Sequence, residues 1–207
     1  MQNKNFFTKT RWLVTIILLL SLSIGNAWGT DYVLVKNISN LADGDHVLLV
    51  SSTDYNEALG TTQNNNNRAA VSVTISSETI SNPGNTVQVL TLGKTGDYWT
   101  FYSPSPTTGY LYAAGSGGNY LKTEANVTNN SKWEIEINTT TGLASIVASL
   151  SSNRNVMQHN NSSHLFACYS SASQKAIYIY KEASSTYTVV YVDRIFNRDN
   201  ILLISVL

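Results

Sequence analysis

Two histidines, His159 and His164, flank Asn160–Ser163 and have the chemistry for metal ligation or proton transfer. A transition-metal site needs further ligands of matching type, and this segment supplies no Asp, Glu or Cys. No metal and no cofactor is expected. Glu134 and Glu136 stand two apart, so a strand would put both carboxylates on one face, as paired acids for glycoside hydrolysis require. Ile135 and Ile137 alternate with them, which reads as a solvated face opposite an apolar one. Serines are many, yet there is no G-x-S-x-G and no P-loop. No catalytic residue is assigned, and an enzyme is not expected.

Three amide-rich stretches are more suggestive. They read TTQNNNNR (Thr61–Arg68), AAGSGGN (Ala113–Asn119) and QHNNSSH (Gln158–His164). Gly, Asn and Ser suit turns because they tolerate positive φ and bond their own backbone. Asn, Gln and His also present donors and acceptors together, which suits sugar hydroxyls. If Leu111 and Leu121 point inward, alternation sends Tyr110, Tyr112 and Tyr120 outward, where they could stack on a pyranose or pair across strands. Tyr110, Tyr112, Asn119 and Tyr120, with Asn67, Arg68, Gln158, His159 and Asn161, form the candidate carbohydrate-binding set. The Gly-rich tip of the second stretch should leave the tyrosine faces uncovered.

The elements that would carry these stretches repeat. Trp99–Tyr102, Tyr110–Ala113, Tyr120–Thr123 and Lys132–Ile137 match Ser145–Ala148, Asn155–Gln158, His164–Ala167 and Lys175–Tyr180 at an offset of about 43 to 46 residues. A weaker copy precedes them at His46–Val50, Ala58–Gly60, Arg68–Val73 and Val87–Leu92, with an insertion around Ser76–Asn85. No segment has the length and apolar period of a helix, whereas strand alternation is common. Three copies of four short strands predict an all-β chain with a β-trefoil-like barrel. A propeller of three blades would have too few to close. Leu48, Thr100 and Ile146 are expected at equivalent strand positions, and Trp133 in the core.

A basic stretch with Lys4, Lys9 and Arg11, then the apolar Trp12–Ile24 and the small residues Gly25–Gly29, predicts a signal peptide over 1–29, with cleavage before Thr30. An apolar stretch of thirteen residues is too short to span a membrane needing about 20, so no span is expected in the mature chain. The β module is placed at 30–183, opening with a strand at Asp31–Lys36. A linker and non-repeat tail follow at 184–207, with a strand at 188–192. That tail, ending in ILLISVL, reads as belonging to a shortened relative of a longer protein.

Only 13% of residues are charged, and 12 Tyr stand against 5 Phe, a mix suited to an extracellular β domain. Beyond the leader, 10 basic face 13 acidic residues, a net of −3. No basic run is interleaved with aromatics, so no nucleic-acid partner is expected. The lone Cys168 cannot form an internal disulfide, and its LFACY segment marks it as a buried thiol.

The phrases LADGDHVLLVS, ALGTTQNNNNRAAV, GYLYAAGSGGNYLKT, NSKWEIEI and LFACYSSASQKAIYIYK together resemble a module of secreted and surface proteins of the Bacteroidetes. That module is often N-terminal to Ig-like or other extracellular domains. The resemblance covers Asp31 to Lys181. It implies export and a β-rich accessory role, and brings no catalytic residues with it. Ser131–Trp133 (SKW) is faintly similar to the Q-x-W signature of ricin-type trefoil lectins, but the third copy reads QKA (Gln174–Ala176), so that sugar pocket is not carried over. The sequence thus points to a secreted or cell-surface, non-catalytic binding module, with a glycan as the favoured partner. A protein-binding adhesion module on a host or extracellular surface, or the accessory domain of an extracellular hydrolase, are the alternatives.

Overall fold

The structure, a computed structural model, describes residues 30–52, 54, 56–113, 117–151 and 153–184. The leader expected at 1–29 and the strand expected at 188–192 lie outside the described residues. Fourteen strands follow one another: β1 (Asp31–Leu34), β2 (His46–Ser51), β3 (Glu57–Gln63), β4 (Arg68–Ser72), β5 (Thr79–Ser81), β6 (Leu90–Thr95), β7 (Tyr98–Ser103), β8 (Gly109–Tyr112), β9 (Lys122–Glu124), β10 (Glu134–Ile137), β11 (Leu143–Val147), β12 (Val156–Asn160), β13 (Leu165–Tyr169) and β14 (Ile177–Glu182). The helical elements among the described residues are two single 3-10 turns, Ile38–Asn40 and Asn129–Ser131. Asn37 and Thr128 cap them by accepting backbone N–H bonds from Ser39 and Asn130. The all-β class expected from the alternation is what forms, and β10 shows why. Glu134 and Glu136 are exposed while Ile135 is buried between them.

Every strand pair is antiparallel, and the sheet closes on itself. The path β14–β11–β12–β13–β4–β3–β2 returns to β14 through five residue pairs from Val47↔Lys181 to Ser51↔Ile177, giving a seven-strand barrel. A second circuit shares three of those strands. From β2 it passes through β6 and β7, crosses to the start of β10 by paired Trp99 and Trp133, and returns through β11 and β14. Trp99 and Trp133 donate to each other's carbonyls at 2.8 Å in both directions. Closure removes the unpaired strand edges that invite aggregation.

The main core lies inside the second circuit, where Leu49, Phe101, Ile146, Trp133 and Ile179 meet. A smaller core of Leu48, Val50, Ile80 and Tyr180 lies on the other face of β2 and β14. Strand β2 is therefore apolar on both faces, which explains the run HVLLV. This corrects the expected equivalence of Leu48, Thr100 and Ile146. Leu49, Phe101 and Ile146 share the main core, while Leu48 and Thr100 sit one residue away, and a one-residue step turns a side chain to the opposite face. Strand β5, inside the stretch read as an insertion, pairs with β1 and delivers the buried Ile80 to the smaller core.

Trp133 is fully buried and donates Nε1–H to the carbonyl of Leu111 at 3.1 Å. Cys168 is fully buried, and burial pushes its thiol pKa well up, so the thiolate is suppressed. Among the described residues, no helix is long and apolar enough to cross a membrane.

Candidate functional site

Three hairpins, β3–β4, β8–β9 and β12–β13, come together in a ring of backbone hydrogen bonds. Leu121 N–H donates to Asn66 O at 2.9 Å, Cys168 N–H to Tyr120 O at 3.3 Å, and Ala70 N–H to His164 O at 3.0 Å. Each hairpin thus donates to one neighbour and accepts from the other. The ring gathers some of the predicted amides. With its amide nitrogen turned toward them, Asn67 donates to the carbonyls of Asn119 and Asn66. Arg154, at positive φ, donates Nη1–H to Asn119 Oδ1. Asn161 is half-buried, with its Oδ1 enclosed and without a partner.

Arg68, Gln158 and His159 were read as tip residues able to reach a sugar, and the structure turns all three inward. Arg68 has no exposed surface and donates to Gly60 O from Nε and Nη2, and to Gln88 Oε1 at 2.7 Å. Burial without a carboxylate beside it lowers the guanidinium pKa to about 10. Gln158 is 3% exposed, and its amide bridges the carbonyl of Ser171 and the N–H of Gln174. The reason is packing on both faces. Gln158 and His159 are adjacent on β12 and point to opposite faces, and both faces are covered, while Arg68 begins β4 at a buried position.

His159 belongs to a cluster that joins two hairpins. Its Nδ1 lies 2.9 Å from Ser51 Oγ, and its Nε2 lies 2.8 Å from Glu57 Oε2, though without the alignment of a directed hydrogen bond. The other Glu57 oxygen is 2.8 Å from Nδ1 of His164. Loss of hydration lowers the pKa of His159, and His164 adds to this, while Glu57 opposes it. A serine, a histidine and a carboxylate in line resemble a hydrolytic triad. However, Ser51 is 1% exposed and His159 has no exposed surface, so a substrate carbonyl has no approach to the hydroxyl. The cluster braces β2, β3 and β12. Among the described residues no group of three or more His, Cys, Asp or Glu could hold a metal.

The tyrosines divide. Leu111 and Leu121 are fully buried as expected, and Tyr110, Tyr112 and Tyr120 are half-buried rather than free. A Cβ placed on Gly118 would lie 2.5 Å from Tyr120 Cε1, so the ring covers the glycine tip expected to leave it open. Lys122 Nζ sits 5.4 Å from the same ring. Burial raises the Tyr112 hydroxyl pKa, with Glu124 adding to the effect.

Tyr110 instead pairs edge-to-face with Tyr102, with ring centroids 5.1 Å apart and an interplanar angle of 63°. These two rings stand beside a groove of about 370 Å³. Asp43, Gly44, Thr91, Gly93, Thr100 and Val127 complete most of its wall. Asp43 Oδ1 accepts the Lys94 N–H at 3.0 Å, which ties the Asp-Gly turn to β6. None of Asp43, Thr91, Gly93, Thr100 or Tyr102 stood in the sequence-based set. A glycine in the middle of the strand LTLGKT was the available signal, because strand glycines often mark a close approach. A second cavity of about 220 Å³, lined mainly by Leu143, Ala144, Val156, Met157, Ala172 and Ala176, is more apolar.

No protein-family model and no curated protein sequence matches the chain. Among solved structures, the chain is similar to the crystal structure of lysenin pore, with a TM-score of 0.45 and 9% identity. That alignment covers 76% of this chain and 50% of the other, so it spans half of that protein's length.

Proposed function

We propose that this chain is a non-catalytic glycan-binding module of β-trefoil type, exported behind its first 29 residues. The trefoil reading is supported by the six-strand circuit β2–β6–β7–β10–β11–β14 and by the three hairpins that bond head to tail. The binding reading rests on one observation above others, the groove walled by the Tyr102–Tyr110 pair and rimmed by Asp43, Thr91 and Thr100. An aromatic face beside a few convergent polar groups is the usual make-up of a small-ligand site. The sugar site therefore moves from Tyr112 and Tyr120 to Tyr110 of the same hairpin and its β7 partner Tyr102. A protein-binding adhesion role has less to favour it. The exposed large apolar residues among those described are Val33 and Leu150, on β1 and beyond β11.

A glycan array probed with the purified protein tests the reading. Binding to defined glycans is expected, and Tyr110→Ala should weaken it at least about tenfold, since one or two aromatic anchors dominate such contacts. An array with no binder would overturn the glycan assignment.

A further inference from the structure

We infer that the groove beside Tyr102 and Tyr110 accepts an uncharged pyranose, held through a pair of vicinal hydroxyls by Asp43, and rejects acidic sugars. This rests on the glycan reading above and specifies the class of sugar. The argument begins with the register of β6 and β7. Thr91 faces Tyr102, Gly93 faces Thr100 and Thr95 faces Tyr98. Cross-strand partners share a face, so these positions lie on one side of the ribbon, and all of them but Tyr98 line the groove. Leu92 with Phe101, and Lys94 with Trp99, fall on the opposite side. The Lys94 side chain follows that rule, with Nζ 3.8 Å from the centroid of the Trp99 ring.

The positive charge of Lys94 is thus held over the Trp99 ring rather than beside Asp43. The charged side chain left on the wall is Asp43, in company with the hydroxyls of Thr91, Thr95, Thr100, Tyr102 and Tyr110. One Asp43 oxygen holds the Lys94 N–H, yet a carboxylate has about four acceptor sites, so it retains capacity for two sugar hydroxyls. An incoming carboxylate would meet that charge without a facing cation.

Gly93 lets the Thr100 hydroxyl pack directly against the groove floor. A Cβ there would lie 2.5 Å from Thr100 Oγ1 and 3.8 Å from Asp43 Oδ1, in the space between those two groups. Its φ lies outside the left-handed region, so backbone strain does not demand glycine at this position. What the missing side chain leaves is a seat for the Thr100 hydroxyl against the strand, on the same wall as the carboxylate. A volume of about 370 Å³ lies near the lower end for small-ligand sites, which fits one or two sugar rings.

The test is calorimetric titration of the full chain with methyl glycosides of neutral hexoses and with the matching hexuronides. The wild type is expected to bind the preferred neutral glycoside at least about tenfold more tightly than its uronide. Asp43→Asn keeps an oxygen for the Lys94 N–H, so the fold should hold. It should weaken neutral binding about tenfold or more and narrow the gap to the uronide. Tyr110→Ala should weaken both ligands and leave their ratio unchanged, because it removes a stacking face and no charge. Equal or tighter uronide binding by the wild type, or unchanged selectivity in Asp43→Asn, would overturn the inference while leaving the glycan reading standing. An array with no glycan bound would overturn both.

Discussion

His159 shows how a residue picked out for its chemistry can serve the fold. Sequence alone marked it as a ligand candidate because it neighbours turn residues, but nothing local discloses that Ser51 and Glu57, over a hundred residues earlier, enclose it. Cys168 and Trp133 were legible because the first lies in a continuous apolar run and the second heads an apolar alternation. Asp43 and Gly93 were not, because a groove wall assembled from separated segments leaves no local pattern. The buried imidazole has a consequence for pH. In the unfolded chain His159 takes up a proton near its ordinary value of 6.5, whereas in the folded chain burial holds its pKa lower. Below about pH 6.5 the unfolded state therefore binds more protons, and stability falls as pH drops toward the folded-state value. Above pH 6.5 both states hold the neutral ring, and the contribution is fully present. Denaturant midpoints at pH 7.5 and 5.5 should show this loss for the wild type. His159→Gln should show a smaller one, and an identical pH dependence in the variant would refute the assignment.

At the scale of elements, the strands were readable where alternation is regular, as in β8 and β10. They were misread where a strand is buried on both faces. Strand β2 has no alternation to fix its phase, so Leu48 was aligned in place of Leu49. Strand β5 escaped notice because three residues, two of them polar, carry no periodic signal, and β1 rather than its own sequence recruits it. The reading of Tyr112 and Tyr120 as uncovered failed for a related reason. Alternation gives the face of a side chain but not what lies over it. The join between β7 and β10 offers a direct test of the second circuit. Trp133→Ala removes a fully buried ring and the bond to Leu111, and should destabilise the protein by about 3–5 kcal/mol in chemical denaturation. A change below about 1 kcal/mol would mean that this crossing contributes little.

For the whole molecule, the repeat offset near 43 to 46 residues was the most informative signal, because it survives even where individual strands are ambiguous. It pointed to closed β architecture before any pairing was known. It could not reveal the groove, whose walls come from the turn at Asp43, from β6, β7 and β8, and from Val127. The leader proposed over 1–29 makes its own prediction. Protein recovered from outside a producing cell should begin near Thr30, one residue ahead of β1, by N-terminal sequencing. Recovery of chains retaining Met1 would refute it.

Strand β1 pairs with β14, placing Tyr32 opposite Glu182, and Ala183 N–H donates to Asp31 O at 2.8 Å. The first and last described strands are thus neighbours running in opposite directions. Topologically the described part of the chain, Thr30 to Ser184, is nearly a loop, with its seam at the β1–β14 pair. A short flexible linker from Ser184 to Thr30, with a cut in the Asn138–Gly142 turn, would reorder the sequence while keeping each strand beside its present partners. The same seam makes the unit easy to insert into a host polypeptide, which would enter and leave at one place.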